Sequence, residues 1–347
     1  MQPRPRYRPG AFSLLAPLLL WAIASAGADF DAGLDAYVRG DYAAALAQWQ
    51  PLAEAGEREA QNNLAVLYDR GHGVPKDWAT AFKWYLAAAQ QGSREAQYSV
   101  GLMLSRGEGV KENDRAAVKW YRAAAEGGFA QAQYHLGLVY DFGDGVKEDN
   151  VKAAQWYLKA AKQGVAAAQY NLAQIYDFGE DVPVDDEEAV KWYRRAADQG
   201  DAKAQYTLGV SYFNGEGVKK DPVIAYAWIT LAATQRHVRA LQNRGVVWRS
   251  LSEVQKRQAN ALYKGLARKL ALYTRLAMPG QLRSVPITGN LVLDTQRVLS
   301  AQGYDPGPID GRMGQLTREA ILGFQRDAGL EETGLPSPDL LEYMRQR

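Results

Sequence analysis

The sequence of 347 residues contains no cysteine and only three histidines. The absence of cysteine excludes disulfides, thiol nucleophiles and thiolate metal sites. The histidines, His72, His135 and His237, share no spacing that is typical of a metal site or of a base paired with a nucleophile. No Ser/His/Asp set and no phosphate-binding loop is found. The sequence therefore predicts a protein that is not an enzyme and needs no metal or cofactor.

The sequence also lacks a hydrophobic run of the roughly 20 residues that a membrane-spanning helix needs. Its main apolar run, from Ala11 to Ala24, follows three arginines and ends at Ala24-Ser25-Ala26. A basic start, a short apolar stretch and small residues are typical of a secretory signal. Residues 1–26 are predicted to be a cleaved signal peptide, with a retained membrane anchor as the alternative. The mature chain is expected to be periplasmic or secreted, with no stable membrane span.

The chain as a whole has no large excess of positive or negative charge, but one segment of it does. The 41 Lys and Arg nearly balance the 39 Asp and Glu, which gives no indication of nucleic-acid binding. Between Arg236 and Arg283, however, the one acidic residue is Glu253, and eleven residues are basic. This basic segment is compatible with an anionic polymer, lipid head groups or an acidic partner. The alternative is a solvated basic face that balances the acidic remainder of the same molecule.

The chain has a strong internal repeat with a period of 36 residues. Apolar residues four apart, such as Ala60, Leu64 and Tyr68, predict a first helix, and the Trp-Tyr segments lie in a second helix. Such a period predicts an all-α solenoid, whose extended surface usually binds partners. The residues that recur at this period include glycines, at Gly71, Gly107, Gly143, Gly179 and Gly215, and tryptophans, at Trp84, Trp120, Trp156 and Trp192.

The repeated glycines and tryptophans are predicted to be structural. The glycines supply left-handed backbone between the two helices of a repeat. At Asp181, where the pattern expects a glycine, we predict local strain or a changed loop without loss of the repeat. The indoles are expected to fill the space between repeats, with a carbohydrate-stacking ladder as the alternative.

The combination of Ala-Gln-Tyr/Asn, Gly-x-Gly-Val, Trp-Tyr-x-x-Ala-Ala and a final glycine resembles the Sel-one-like repeat family, a relative of the tetratricopeptide repeats. The resemblance covers about residues 57–235 and implies an α-solenoid scaffold for protein-protein contacts. With a capping helix pair at each end, the solenoid is predicted to span residues 29–277. Ser252-Glu253-Val254-Gln255 has the pattern of a capping box that begins the last helix.

A small C-terminal domain follows a predicted linker at residues 278–289, where proline and glycine interrupt helical patterns. Residues 290–347 predict three short helices around a core of Leu299, Ile309, Ile321, Phe324 and Leu330. This segment resembles the peptidoglycan-binding-like domain, a non-catalytic three-helix module. The resemblance rests on Gln296, Leu299, Gly303-Tyr304, Pro308-x-Asp310-Gly311-x-x-Gly314, Thr317, Ala320, Phe324-Gln325, Gly329-Leu330 and Thr333-Gly334.

The resemblance implies binding to the stem peptide or glycan of the cell wall. Candidate ligand residues are polar or cationic and were expected to be exposed, apart from Asp310, which lies in a predicted turn; they are Tyr304, Asp305, Asp310, Arg312, Arg318 and Gln325. The sequence thus predicts an exported, non-catalytic envelope adaptor that binds peptidoglycan and an unidentified envelope protein. The alternative is a regulatory solenoid that inhibits or localises a wall enzyme or a sensor kinase through protein contacts.

Overall fold

The computed structural model describes residues 28–179 and 181–277, and in the C-terminal part residues 292, 295–296, 299–300, 304–307, 315–328, 330, 334–335 and 338–345. These residues form helices and loops and no strand. The all-α prediction is therefore confirmed. The predicted signal peptide and linker lie outside the described residues. The chain divides into two compact units, Met1–Ala160 and Ala161–Arg347, and each is considered by itself.

The helices follow the period of the sequence. Two helices, α1 (Phe30–Val38) and α2 (Tyr42–Glu54), precede the five repeats. The first helices of the repeats are α3 (Arg58–Arg70), α5 (Arg94–Arg106), α7 (Ala130–Phe142), α9 (Ala166–Phe178) and α11 (Ala202–Asn214). The second helices are α4 (Trp78–Gln90), α6 (Asp114–Glu126), α8 (Asn150–Lys162), α10 (Asp186–Asp198) and α12 (Pro222–Thr234). After the repeats come α13 (Val238–Ser250), α14 (Glu253–Ala277), α15 (Gln315–Asp327) and α16 (Pro338–Arg345).

Glycines end the first helices as predicted. Gly71, Gly107, Gly143 and Gly215 have φ angles of 69°, 67°, 74° and 87°, in the left-handed region that glycine adopts at little cost. Asp181 adopts the same region, at φ 56°, and the repeat around it is intact. Aspartate tolerates this conformation better than most residues, which explains how the loop survives the substitution.

Polar side chains begin the second helices. Asp77 accepts hydrogen bonds from the amides of Ala79 and Thr80, at 3.0 and 3.1 Å. In the second and fourth repeats the cap residues are Asn113 and Asp185, directly before the first helical residues Asp114 and Asp186. The capping box at α14 is confirmed, because the Ser252 amide donates to the Gln255 side chain and the Gln255 amide donates to the Ser252 hydroxyl.

The tryptophans of the second helices are less buried than expected, although Trp84 packs against the buried cluster that contains Trp49 and Leu64. Trp84, Trp120 and Trp156 are only half-buried, whereas the tyrosine that follows each of them is buried. The reason is the position of the alanine stripe. In α4 the buried alanines are Ala81, Ala88 and Ala89, and Ala89 moves the centre of the buried face toward Tyr85. Among the four predicted tryptophans, Trp192 is buried, with 4% of its surface exposed.

In the second and third repeats a glycine in the first helix makes room for the buried ring, whereas the first and fourth repeats have Ala65 and Ala173 at this position. A Cβ atom at Gly101 would lie 2.6 Å from the Tyr121 ring, and one at Gly137 would lie 2.4 Å from the Tyr157 ring. In the fifth repeat the same notch at Gly209 receives Ile229. The small residue lets the two helices of a repeat approach closely, and the ring fills the resulting space.

The glutamine of the Ala-Gln motif ties each repeat to the preceding helix end. The Gln205 amide donates to the carbonyl of Ala197, at 3.1 Å, and Gln133 makes the same bond to Ala125. Gln61, Gln97 and Gln169 make equivalent bonds to the carbonyl eight residues earlier. These bonds give a second donor to carbonyl groups at a helix C-terminus, each of which also accepts from the amide of the glycine three residues later.

The described part of the C-terminal module has its own core. Leu299, Ile321 and Phe324 are buried as predicted, together with Leu340 and Met344 of the last helix. Leu330 is partly buried against this cluster, and Ile309 lies outside the described residues.

Candidate binding sites

A row of tyrosines lies on the first helices at the repeat period. In the first unit, Tyr98 and Tyr134 are half-buried. Tyr98 lies 5.4 Å from Phe129 and 5.2 Å from His135, measured between ring centroids, and Tyr134 lies 5.5 Å from His135. The result is an aromatic cluster with partly exposed rings. Tyrosine offers a flat apolar surface and a hydroxyl, and is enriched at the binding hot spots of protein interfaces.

Burial sets the charge state of this cluster. The imidazole of His135 is packed among tyrosines, and this burial lowers its pKa to about 4, with Arg106 adding to the effect. Burial also raises the pKa of Tyr98 to about 12. Both side chains are therefore neutral near pH 7, and the cluster can bind through packing and hydrogen bonds without a charge of its own.

The second unit carries the same row at Tyr170 and Tyr206. The Tyr206 ring stacks on His237 at 4.8 Å, and its hydroxyl accepts a hydrogen bond from Asn243 at 2.7 Å. Lys203 lies 5.8 Å from the ring centroid of Tyr170. These tyrosines were not predicted to form a site, although they recur at the 36-residue period of the sequence.

Lysine side chains cover part of the surface of the half-buried tryptophans. The ammonium of Lys159 lies 3.7 Å from the centroid of the Trp156 ring, and Lys83 lies 5.3 Å from that of Trp84. These cation-π contacts cover indole surface that a sugar ring would need. A carbohydrate ladder on the tryptophans stays a hypothesis.

In the C-terminal module, three of the six predicted ligand residues are not buried. Asp305 is exposed and accepts a hydrogen bond from the Gly307 amide, at 3.0 Å. Arg318 is exposed on α15. Tyr304 is half-buried, with its ring 5.8 Å from Phe324 in an edge-on contact. Asp310 and Arg312 lie outside the described residues.

The expectation that Gln325 is exposed is wrong. Its side chain is buried, and its amide oxygen accepts a hydrogen bond from the Gly334 amide, at 2.9 Å. A nearby pair has the same function, since Gln296 donates to the Thr317 hydroxyl at 3.0 Å and that hydroxyl donates to the Pro306 carbonyl at 2.8 Å. These polar residues of the module hold its loops in place because buried polar groups need partners.

Neither a metal centre nor a membrane span is found in the part of the chain that the structure describes. No group of three or more potential ligands among His, Asp and Glu comes together there. No helix in the described ranges is long and apolar enough to cross a bilayer.

Comparison with known proteins identifies both parts of the chain. The family model "Sel1 repeat" matches residues 58–93, 94–129, 130–165, 166–201 and 202–237, and the model "Putative peptidoglycan binding domain" matches residues 288–344. Sel1 repeats indicate protein-protein interaction, and a solenoid of this kind is typically a non-catalytic scaffold. The second match indicates peptidoglycan binding.

A solved structure agrees with the repeat assignment. A Sel1 repeat protein from Oxalobacter formigenes is 32% identical, with a TM-score of 0.59 over 68% of this chain and 99% of that one. The protective antigen c5321 of uropathogenic Escherichia coli, which has an SLR fold, is 29% identical, with a TM-score of 0.47 over 71% of this chain and 61% of that one. No curated protein matches the chain. Because five consecutive repeats match over more than half of its length, the chain belongs to the Sel1 repeat family.

Proposed function

We propose that this protein is an exported, non-catalytic envelope adaptor, located in the periplasm or secreted and associated with the cell wall. Its solenoid binds a protein, and its C-terminal module, residues 290–347, binds peptidoglycan. The observation that carries the proposal is that five Sel1 repeats and a peptidoglycan-binding match occur in one chain. The basic start and short apolar run of residues 1–26 support export.

Sedimentation with purified sacculi tests the wall half of the proposal. The full chain is expected to sediment, and a chain ending at residue 289 is expected to stay in the supernatant. Arg318→Glu should weaken sedimentation because the stem peptide presents carboxylates to a cation. Arg115→Glu is the matched control, since it reverses an exposed charge on α6 of the repeats.

Two results would contradict the wall assignment. Sedimentation that survives truncation but disappears between about 50 and 500 mM salt would assign binding to the basic segment of α13 and α14. No sedimentation of the full chain would favour a module that binds protein, as in the regulatory alternative. Intact mass from an envelope fraction tests export, and a retained Met1 would count against cleavage.

A further inference from the structure

Helix α13 follows the five repeats at the place where the first helix of a sixth repeat would begin. The helix that comes after it, α14, does not pack on it as a second helix packs on a first helix in the repeats. In the fifth repeat, α11 packs on its own second helix, α12. The long helix α14, which follows α13 in the chain, packs along α12 instead. One side of α13 is therefore left without the helix that covers this side in the repeats.

The residues on this side show the difference directly. Gln205, Leu208 and Gly209 of α11 are buried. Their counterparts one period later are Leu241, Arg244 and Gly245, of which Leu241 is 50% exposed and Arg244 is exposed. We call Leu241, Arg244 and Gly245 the open face of α13; they are spaced i, i+3 and i+4 and so share one side of the helix. Trp248, at i+7, borders this face and packs on Tyr226, at 4.8 Å between ring centroids, with the Lys256 ammonium 5.5 Å from its ring centroid.

The glycine notch of the repeats is present in the open face but is not filled. A Cβ atom at Gly209 would lie 2.6 Å from Ile229, and the equivalent atom at Gly245 would meet only the end of the Arg249 side chain, at 3.7 Å. In the second, third and fifth repeats this notch receives Tyr121, Tyr157 or Ile229 from a second helix of 13 residues. The shape of the open face therefore fits a helix of similar length.

The charge around the open face defines the chemistry of that helix. Arg239, Arg244 and Arg249 are exposed on α13, and none of them has a carboxylate within salt-bridge distance among the described residues. Arg244 lies in the open face and the Arg249 guanidinium lies next to Gly245, whereas Arg239 lies on the other side of the helix, at the position of the exposed Lys203. The one acidic residue of α13 and α14, Glu253, is paired with Lys256 at 2.7 Å. Direct pairing with the acidic part of the same molecule thus does not neutralise these three arginines within the described ranges.

Exposed aliphatic side chains distinguish this surface from one that binds only a hydrated polyanion. Val238 is 66% exposed and Leu241 is 50% exposed, on the same side of the helix as Gly245. A sugar or phosphate polymer offers them no apolar contact, whereas an amphipathic helix does. Arg244 replaces the leucine that is fully buried in the repeats, so the covering helix must bring a carboxylate to that point.

We propose that the open face of α13 binds an acidic amphipathic helix of a partner protein, which takes the place of a second helix and inserts a large apolar side chain at Gly245. This inference rests on the proposed scaffold function and specifies where and how the solenoid binds.

A designed peptide pair tests the inference with the full chain. The acidic peptide has the sequence of α10, Asp186–Asp198, with Lys191→Glu, Arg194→Glu and Arg195→Glu. The basic peptide keeps the apolar residues of α10, and lysine replaces Asp186, Glu187, Glu188 and Asp198. Fluorescence anisotropy should show binding of the acidic peptide at roughly micromolar concentration and no binding of the basic one.

Three variants separate the open face from general charge attraction. Arg244→Glu should weaken binding of the acidic peptide about tenfold or more, since it places like charges together. Gly245→Leu should weaken it to a similar degree by filling the notch, without loss of fold, because no backbone atom lies near this position. Arg268→Glu, on the exposed side of α14, is the charge control and should change affinity less than about twofold.

The inference is overturned if the acidic peptide does not bind, if both peptides bind alike, or if Arg244→Glu and Arg268→Glu act equally. Binding to phosphatidylglycerol vesicles that requires Arg244, without peptide binding, would assign the face to lipid and also overturn it. The same variants are sedimented with sacculi. Loss of peptide binding with normal sedimentation leaves the wall function intact, so the two proposals fail separately.

Discussion

Tyr157 and Trp156 are adjacent in α8 but have different roles. Tyr157 has 0% of its surface exposed and donates a hydrogen bond to Asp141 at 2.7 Å, whereas Trp156 is half-buried beneath Lys159. We expect Tyr157→Ala to lower the free energy of unfolding by about 3 to 5 kcal/mol, because it leaves a cavity against Gly137. Trp156→Ala should cost about 1 to 2 kcal/mol. Urea unfolding of both variants checks this order, and equal losses would contradict it.

His135 makes the first unit sensitive to acid. Its pKa is about 4 in the folded chain and near 6.5 when unfolded, so the unfolded state binds more protons between these values. The contribution of neutral His135 to the free energy of unfolding is therefore complete above the pKa of the unfolded state. It decreases by about 1 to 3 kcal/mol as the pH falls toward the pKa of the folded state. His135→Asn, the residue present at Asn171 one period later, should remove this part of the acid sensitivity. Unfolding curves at several pH values test it, and parallel pH profiles for the two proteins would refute it.

At the scale of helices, the buried glutamines join neighbouring repeats. Gln205 has 0% of its surface exposed, donates to the Ala197 carbonyl and accepts from the Gln235 side chain at 3.0 Å. Gln205→Leu should destabilise the second unit by about 1 to 3 kcal/mol, because it removes two hydrogen bonds made by a buried side chain, although the Ala197 carbonyl keeps its bond from the Gly200 amide and Gln235 keeps its bond to the Gly200 carbonyl. Thermal unfolding measures the change. Lys203→Leu, an exposed change on the same helix, is the control and should be nearly neutral.

The helices, and the buried Ala60 and Leu64 face of the first helices, were largely predictable from the sequence, but the burial of tyrosine in place of tryptophan in the second helices was not. The 36-residue period, the left-handed glycines and the caps locate the helices because they are local signals. Burial of Tyr85 in place of Trp84 depends on the helix that packs on the face centred near Ala89, which is a tertiary feature. In the second and third repeats the buried rings of Tyr121 and Tyr157 also need Gly101 and Gly137 of another helix. The open face of α13 was hidden for the same reason, since the sequence does not say that α14 packs on α12.

At the scale of the whole molecule, the binding residues of the C-terminal module were only partly predictable. A polar residue such as Gln325 has the same sequence signal whether it binds a ligand or holds a loop, and the bond to Gly334 shows that it holds a loop. Tyr304, Asp305 and Arg318 remain candidates for peptidoglycan contact because they keep exposed surface. The proposal that the solenoid binds a protein and the module binds peptidoglycan is therefore tested by disturbing each part separately.

Nearest-neighbour packing predicts that damage to one repeat stays local. In a solenoid each repeat contacts chiefly the next, so stability is close to a sum of repeat and interface terms. Tyr157→Ala removes contacts of α7 and α8, and α13 lies more than two repeats further along the chain. We expect amide hydrogen exchange to become faster in α7 and α8 and to stay unchanged in α11, α13 and α15. Sedimentation with sacculi and binding of the acidic peptide should both persist. Faster exchange throughout the chain, with loss of both activities, would show that solenoid and module unfold as one cooperative unit.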